Sequence, residues 1–133
     1  MRSFHDHFLT GLAVDETGVV LTVESDGRWK VKERHRIIVQ GIVRLRSDNF
    51  QQGNIIDSVV CHDTRSAKND GDDIRACAQF ALGEPESDPH GAISQIVDRI
   101  LTGDLMALEV IPSYGVYLVA IGRAVTVESD SMA

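Results

Sequence analysis

Aromatic residues are scarce in this chain, at 5% of positions. That scarcity withholds the stacking platform which readers of single-stranded nucleic acid usually set beside their basic side chains. A net charge of −7 argues the same way, because the average field of the molecule repels phosphate. There are two cysteines, Cys61 and Cys77, too few for a disulfide scaffold, and both read as reduced thiols. No apolar run approaches the roughly 20 residues that a membrane-crossing helix needs. The opening Met1-Arg2-Ser3-Phe4-His5-Asp6-His7 has no apolar stretch of the kind a signal peptide requires. A cytoplasmic protein without membrane association is the expectation. CxxC, HExxH, GxGxxG, Walker and calcium-loop spacings are all missing, so the sequence assigns no catalytic residue and no cofactor.

What is present is ordinary globular composition, 43% hydrophobic and 25% charged over 133 residues, enough for one domain spanning 1–133. Phe8 to Val14 and Gly18 to Ser25 are β-prone runs around the turn Asp15-Glu16-Thr17-Gly18. The Asp26-Gly27 pair predicts a second reversal into a third strand. From Trp29 to Arg36 the period is two: Lys30, Lys32, Arg34 and Arg36 face one way, Trp29, Val31, Glu33 and His35 the other. The run continues through Ile37 to Val39, meets Gly41, where a bulge or bend is expected, and resumes over Val43 to Arg46. Asn54 to Val60 reads as another strand, followed by a polar loop over Thr64 to Asp73.

Ile74 to Leu82 fits both periods. Its alanines, Asp72 and Asp73 at the start and Gly83 at the end favour a helix over 72–82. A clearer helix spans 89–102, with Asp88 as cap, Pro89 in the first position, Ile93, Ile96, Val97 and Ile100 on one face, and Gly103 closing it. Leu105 to Ile111 and Gly115 to Ile121 form a last strand pair that Ala124 to Glu128 extends, and the polar tail Ser129 to Ala133 is expected to fray. The fold class is α+β, mainly antiparallel sheet, as a sandwich or a rolled sheet.

Charge is unevenly spread. Seven of the thirteen cations lie between Arg28 and Arg46 with Glu33 as the only acid, leaving +6 there and −13 elsewhere. Lys30, Lys32, Arg34 and Arg36 would present one cationic strand face to an acidic protein partner. Two alternatives stay open: cross-strand pairing with acids such as Glu24, or protection of a sheet edge. His5 and His7 share one side of an extended segment and, with His62, supply three imidazoles for a metal, although nothing in the sequence brings these segments together. Cys61 and His62 are adjacent and would point to opposite faces, a poor nucleophile–base pair.

The opening Phe4-His5-Asp6 with Leu9, Leu12 and the strand Val19 to Glu24 resembles small β-rich bacterial families of uncharacterised function, including some bacterial immunity proteins. The resemblance implies a noncatalytic interaction protein and carries over no catalytic residues. The first functional expectation is therefore a protein-interaction domain using the cationic face. The second is a small-molecule or metal-binding domain, with possible enzymatic chemistry, built on His5, His7 and His62. A homodimer through a sheet edge is also open.

Overall fold

A computed structural model describes residues 2–27, 32–65 and 71–132. The period-two runs become eight strands: β1 (Phe8–Asp15), β2 (Gly18–Glu24), β3 (Lys32–Gln40), β4 (Arg44–Asp48), β5 (Asn54–His62), β6 (Met106–Tyr114), β7 (Tyr117–Gly122) and β8 (Ala124–Met132). Two helices, α1 (Gly71–Leu82) and α2 (Ala92–Leu101), lie between β5 and β6. All pairings are antiparallel, in the order β4-β7-β6-β5-β1-β2-β3-β8.

The ends of that order belong to two long strands. β3 continues into β4 past Gly41, whose φ of 63° makes the bend, and β7 continues into β8 past Gly122. Hydrogen bonds span the joint, from Arg123 N to Gln40 O at 2.8 Å and from Val43 N to Ile121 O at 2.8 Å. Of the two architectures left open above, the sheet is thus a single roll and not a sandwich.

Inward-facing positions fill the roll: Leu9, Val19, Leu21, Val23, Ile37, Val39, Ile56, Val59, Leu108, Val110, Leu118 and Ala120, joined by Phe4 and Val116. The opposite faces of β6 and β7 carry Ala107, Val119 and Ile121, covered by Ile74, Cys77 and Ala78 of α1 and by Ile93, Ile96 and Ile100 of α2. β7 is buried on both faces, which explains its unbroken apolar run.

Three local readings change. The helix expected over 89–102 begins at Ala92, because Gly91 adopts a left-handed φ of 70° and leaves Pro89 in the preceding turn. Asp88 nevertheless caps it: its carboxylate accepts from Ile93 N at 2.9 Å and Ser94 N at 3.0 Å. Residues 129–132, expected to fray, continue β8 in register with β3. Trp29 and Lys30 fall outside the described residues.

Candidate functional site

The roll is thinnest between β1 and β5, which share only the pairs Phe8↔Ile55 and Leu9↔Asn54. The segment before β1 closes this seam by lying along β5: Ser3 O accepts from Val59 N at 2.7 Å, Asp6 N donates to Ile56 O at 2.9 Å, and Ile56 N donates to His7 O at 2.8 Å. Its turn uses left-handed backbone at Phe4 (φ 55°) and Asp6 (φ 60°). Such conformations cost non-glycine residues about 1–2 kcal/mol each, and the burial of Phe4 in the core offsets the strain.

That turn delivers Arg2 and His7 to the inner side of β3. Glu33 and His35 sit two positions apart on β3, on the parity that continues as Ile37 and Val39 inside the roll. His7 and His35 are both buried, at 8% and 6% exposure, and with Glu33 they offer ligand atoms within 4.8 Å of one another. Their outer nitrogens are already engaged. His7 Nδ1 donates to the His5 carbonyl at 3.2 Å, and His35 Nδ1 lies 2.7 Å from Ser129 Oγ on β8. Both Nε2 atoms turn towards a common point. His35 Nε2 is 3.3 Å from Glu33 Oε2. The Arg2 guanidinium reaches all three groups: Nη1 is 3.3 Å from His35 Nε2 and 3.4 Å from Glu33 Oε2, and Nη2 is 3.4 Å from His7 Nε2.

Desolvation, with Arg2 and His35 adding to it, pulls the His7 imidazole below its ordinary pKa despite its bond to the His5 carbonyl. Hydrogen bonding to His35 and then Arg2 holds Glu33 below the usual carboxylate range. Neutral imidazole and ionised carboxylate are the forms in which these groups ligate metals. A cavity of about 410 Å³ adjoins the cluster, lined by Arg2, Phe4, His35, Val125, Val127 and Ser129. A cavity of about 560 Å³ between β1 and the 50–54 turn, lined by Phe8, Thr10, Phe50 and Asn54 among others, has no titratable side chain on its walls.

The three histidines singled out from the sequence are not brought together. His5 is exposed and donates through Nδ1 to Asp57 O at 2.9 Å, and that bond, followed by the charge of Asp6, raises its pKa. His62 points the other way, under α1, where its Nε2 lies 2.9 Å from Glu109 Oε1. Tyr117 OH donates to Glu109 Oε2 at 2.5 Å, and Cys77 completes a second convergent group with His62 and Glu109. Burial and the neighbouring Glu109 push the Cys77 thiol up to about 12, which makes it a poor nucleophile. Cys61 faces the inner core, opposite in parity to His62, and both cysteines are unpaired.

The cationic face is compensated within the fold. Glu24, directly across from Arg34 on β2, takes Arg34 Nε at 3.0 Å and Lys32 Nζ at 3.2 Å, and Arg36 Nη1 meets Asp130 Oδ2 on β8 at 2.8 Å. His35, which the sequence reading assigned to the core-facing parity, is the residue that joins His7. The signal for it was Glu33-x-His35, two polar residues on the parity that otherwise fills the roll. Comparison with protein-family models, curated proteins and solved structures finds no match for the chain.

Proposed function

We propose that this protein is a metal-binding domain that takes a divalent ion of the zinc class through His7 Nε2, His35 Nε2 and the Glu33 carboxylate. Two imidazoles and one carboxylate suit zinc and its neighbours and leave a coordination position free. The observation that carries the reading is the orientation of the rings. Each histidine has its Nδ1 held by an outer partner, the His5 carbonyl or Ser129 Oγ, with its Nε2 turned towards Glu33. Outer partners of this kind fix the ring and tautomer of ligating histidines. The remaining coordination position is accessible from the cavity bordered by Phe4, Val125 and Val127, so a small exogenous donor can complete the sphere. Titration of the metal-stripped protein with zinc, followed by calorimetry and elemental analysis, is expected to give one bound equivalent. His35→Ala and His7→Ala should each lose it, and Glu109→Gln, in the other convergent cluster, should retain it. Absence of stoichiometric zinc, or its loss in His62→Ala but not in His35→Ala, overturns the proposal.

A second reading, a noncatalytic domain that pairs with its own copy, is favoured by one observation: β8 is nine residues long and among the described residues its only strand partner is β3. An open edge of that length is a template for antiparallel pairing across a twofold axis. The alternative of recruiting an acidic protein through Lys32, Arg34 and Arg36 has less support, since Glu24 and Asp130 already neutralise those side chains in part.

A further inference from the structure

Three groups with lone pairs or negative charge surround one cation in this protein, and that cation belongs to the chain itself. Arg2 lies within 3.3–3.4 Å of His7 Nε2, His35 Nε2 and Glu33 Oε2 at once. Its guanidinium carbon also sits 5.4 Å from the centre of the Phe4 ring, within range of a cation–π contact. A zinc ion bonded to the same three atoms at about 2.0–2.2 Å would share their centre with the guanidinium, which steric overlap and like charge forbid. The ligand atoms lie within 4.8 Å of one another, against about 3.4 Å along the edge of a tetrahedral zinc sphere. Modest side-chain rotation would close that gap once the guanidinium has left.

Resting on the metal-binding reading above, we infer that Arg2 is an internal competitor for the site: it neutralises the ligand cluster when no metal is bound, and a divalent ion must displace it. The displacement is confined to one side chain. Ser3 O, Asp6 N and His7 O are hydrogen-bonded to β5 and Phe4 is buried, so the backbone that carries Arg2 stays in place. The Arg2 side chain is half exposed, and it also lines the cavity wall beside Val125 and Val127, leaving it room to swing outward. Arg2 then acts as a selectivity device. Weakly held cations fail to expel a guanidinium with three contacts, whereas an ion with strong preference for imidazole succeeds. The freed guanidinium remains at the cavity mouth, placed to meet an anionic donor that completes the coordination sphere.

Zinc affinity measured by competition with a chromophoric chelator, on the full chain, tests this with wild type, Arg2→Ala, Arg2→Lys and His35→Ala. Arg2→Ala should bind zinc at least about fivefold more tightly than wild type, the gain expected from removing a partly exposed ionic contact. Arg2→Lys, which keeps the charge and loses the planar fork, should fall between the two. Phenylglyoxal modification of Arg2 in the wild type, read by peptide mass, should rise on zinc addition and stay unchanged with magnesium. Unchanged or weaker zinc binding by Arg2→Ala, alongside loss in His35→Ala, overturns the competitor role and leaves the metal site standing. Failure of every variant, including Arg2→Ala, to bind zinc overturns both.

Discussion

At the scale of single residues, buried polar side chains do the joining that apolar contact cannot. Asn54 is 2% exposed and uses both ends of its amide. Its oxygen accepts from Gln51 N at 2.8 Å and Val116 N at 3.1 Å, and its nitrogen donates to Gln51 O at 2.6 Å. One side chain thus ties the turn before β5 to the turn between β6 and β7. A Cβ on Gly115, whose φ is 93°, would come within 2.3 Å of that oxygen, so the turn is shaped around it. Asn54→Ala should destabilise the fold by about 2–4 kcal/mol, since two buried amides lose their acceptor. Urea denaturation checks this, and a loss below about 0.5 kcal/mol would show that the pin is dispensable. None of this was legible in the sequence, where Gly53-Asn54 looked like any polar turn, because the partners of Asn54 lie up to 62 positions away.

At the scale of elements, the two edges of the sheet are treated differently. β4 is covered: Arg46 Nη1 donates to Phe80 O of α1 at 2.9 Å, and its guanidinium stacks over the Phe80 ring at 4.5 Å. β8 has no such cover among the described residues, and Val127 on it is 41% exposed. If β8 pairs with its copy, light scattering across a concentration series should give a dimer mass that Val127→Lys returns to the monomer, because a charge on an exposed edge opposes pairing. A monomer mass for the wild type throughout would remove the dimer reading. Most elements were readable from period alone, and α1 from Asp72, Asp73 and Gly83. β8 beyond Glu128 was not, because Ser129 to Met132 are polar or small and become a strand only through pairing with β3. The same limit hid the site. Parity placed Glu33 and His35 on one face, but no local signal says that the turn at Phe4 and Asp6 carries His7 across to them.

At the scale of the whole molecule, several carboxylates share one direction of shift. Glu109 is held below its ordinary 4.5 by its bonds to His62 and Tyr117, which outweigh desolvation. Desolvation of Glu24 is outweighed by Arg34 and Lys32, and that of Asp88 by the amides of Ile93 and Ser94. A carboxylate with a lower pKa in the folded than in the unfolded chain contributes stability that is present above the unfolded pKa and lost as pH falls. The urea midpoint should therefore fall steadily from about pH 5 to pH 3. Glu109→Gln should flatten part of that slope while lowering stability at neutral pH, and an unchanged slope would show that Glu109 does not contribute to it.

The pairing of β3 with β8 also sets an order of events in synthesis. Lys32 to Gln40 finds its neighbour on one side, β2, almost at once, but its other neighbour is residues 124–132. Until those emerge from the ribosome, the inward faces of β2 and β3 have no closed roll to enter. Contacts this distant in sequence form slowly, so the nascent chain carries an unfinished apolar surface through most of its translation. Truncation within β8 should consequently yield chains that chaperones retain, even though the residues removed are among the most polar in the fold.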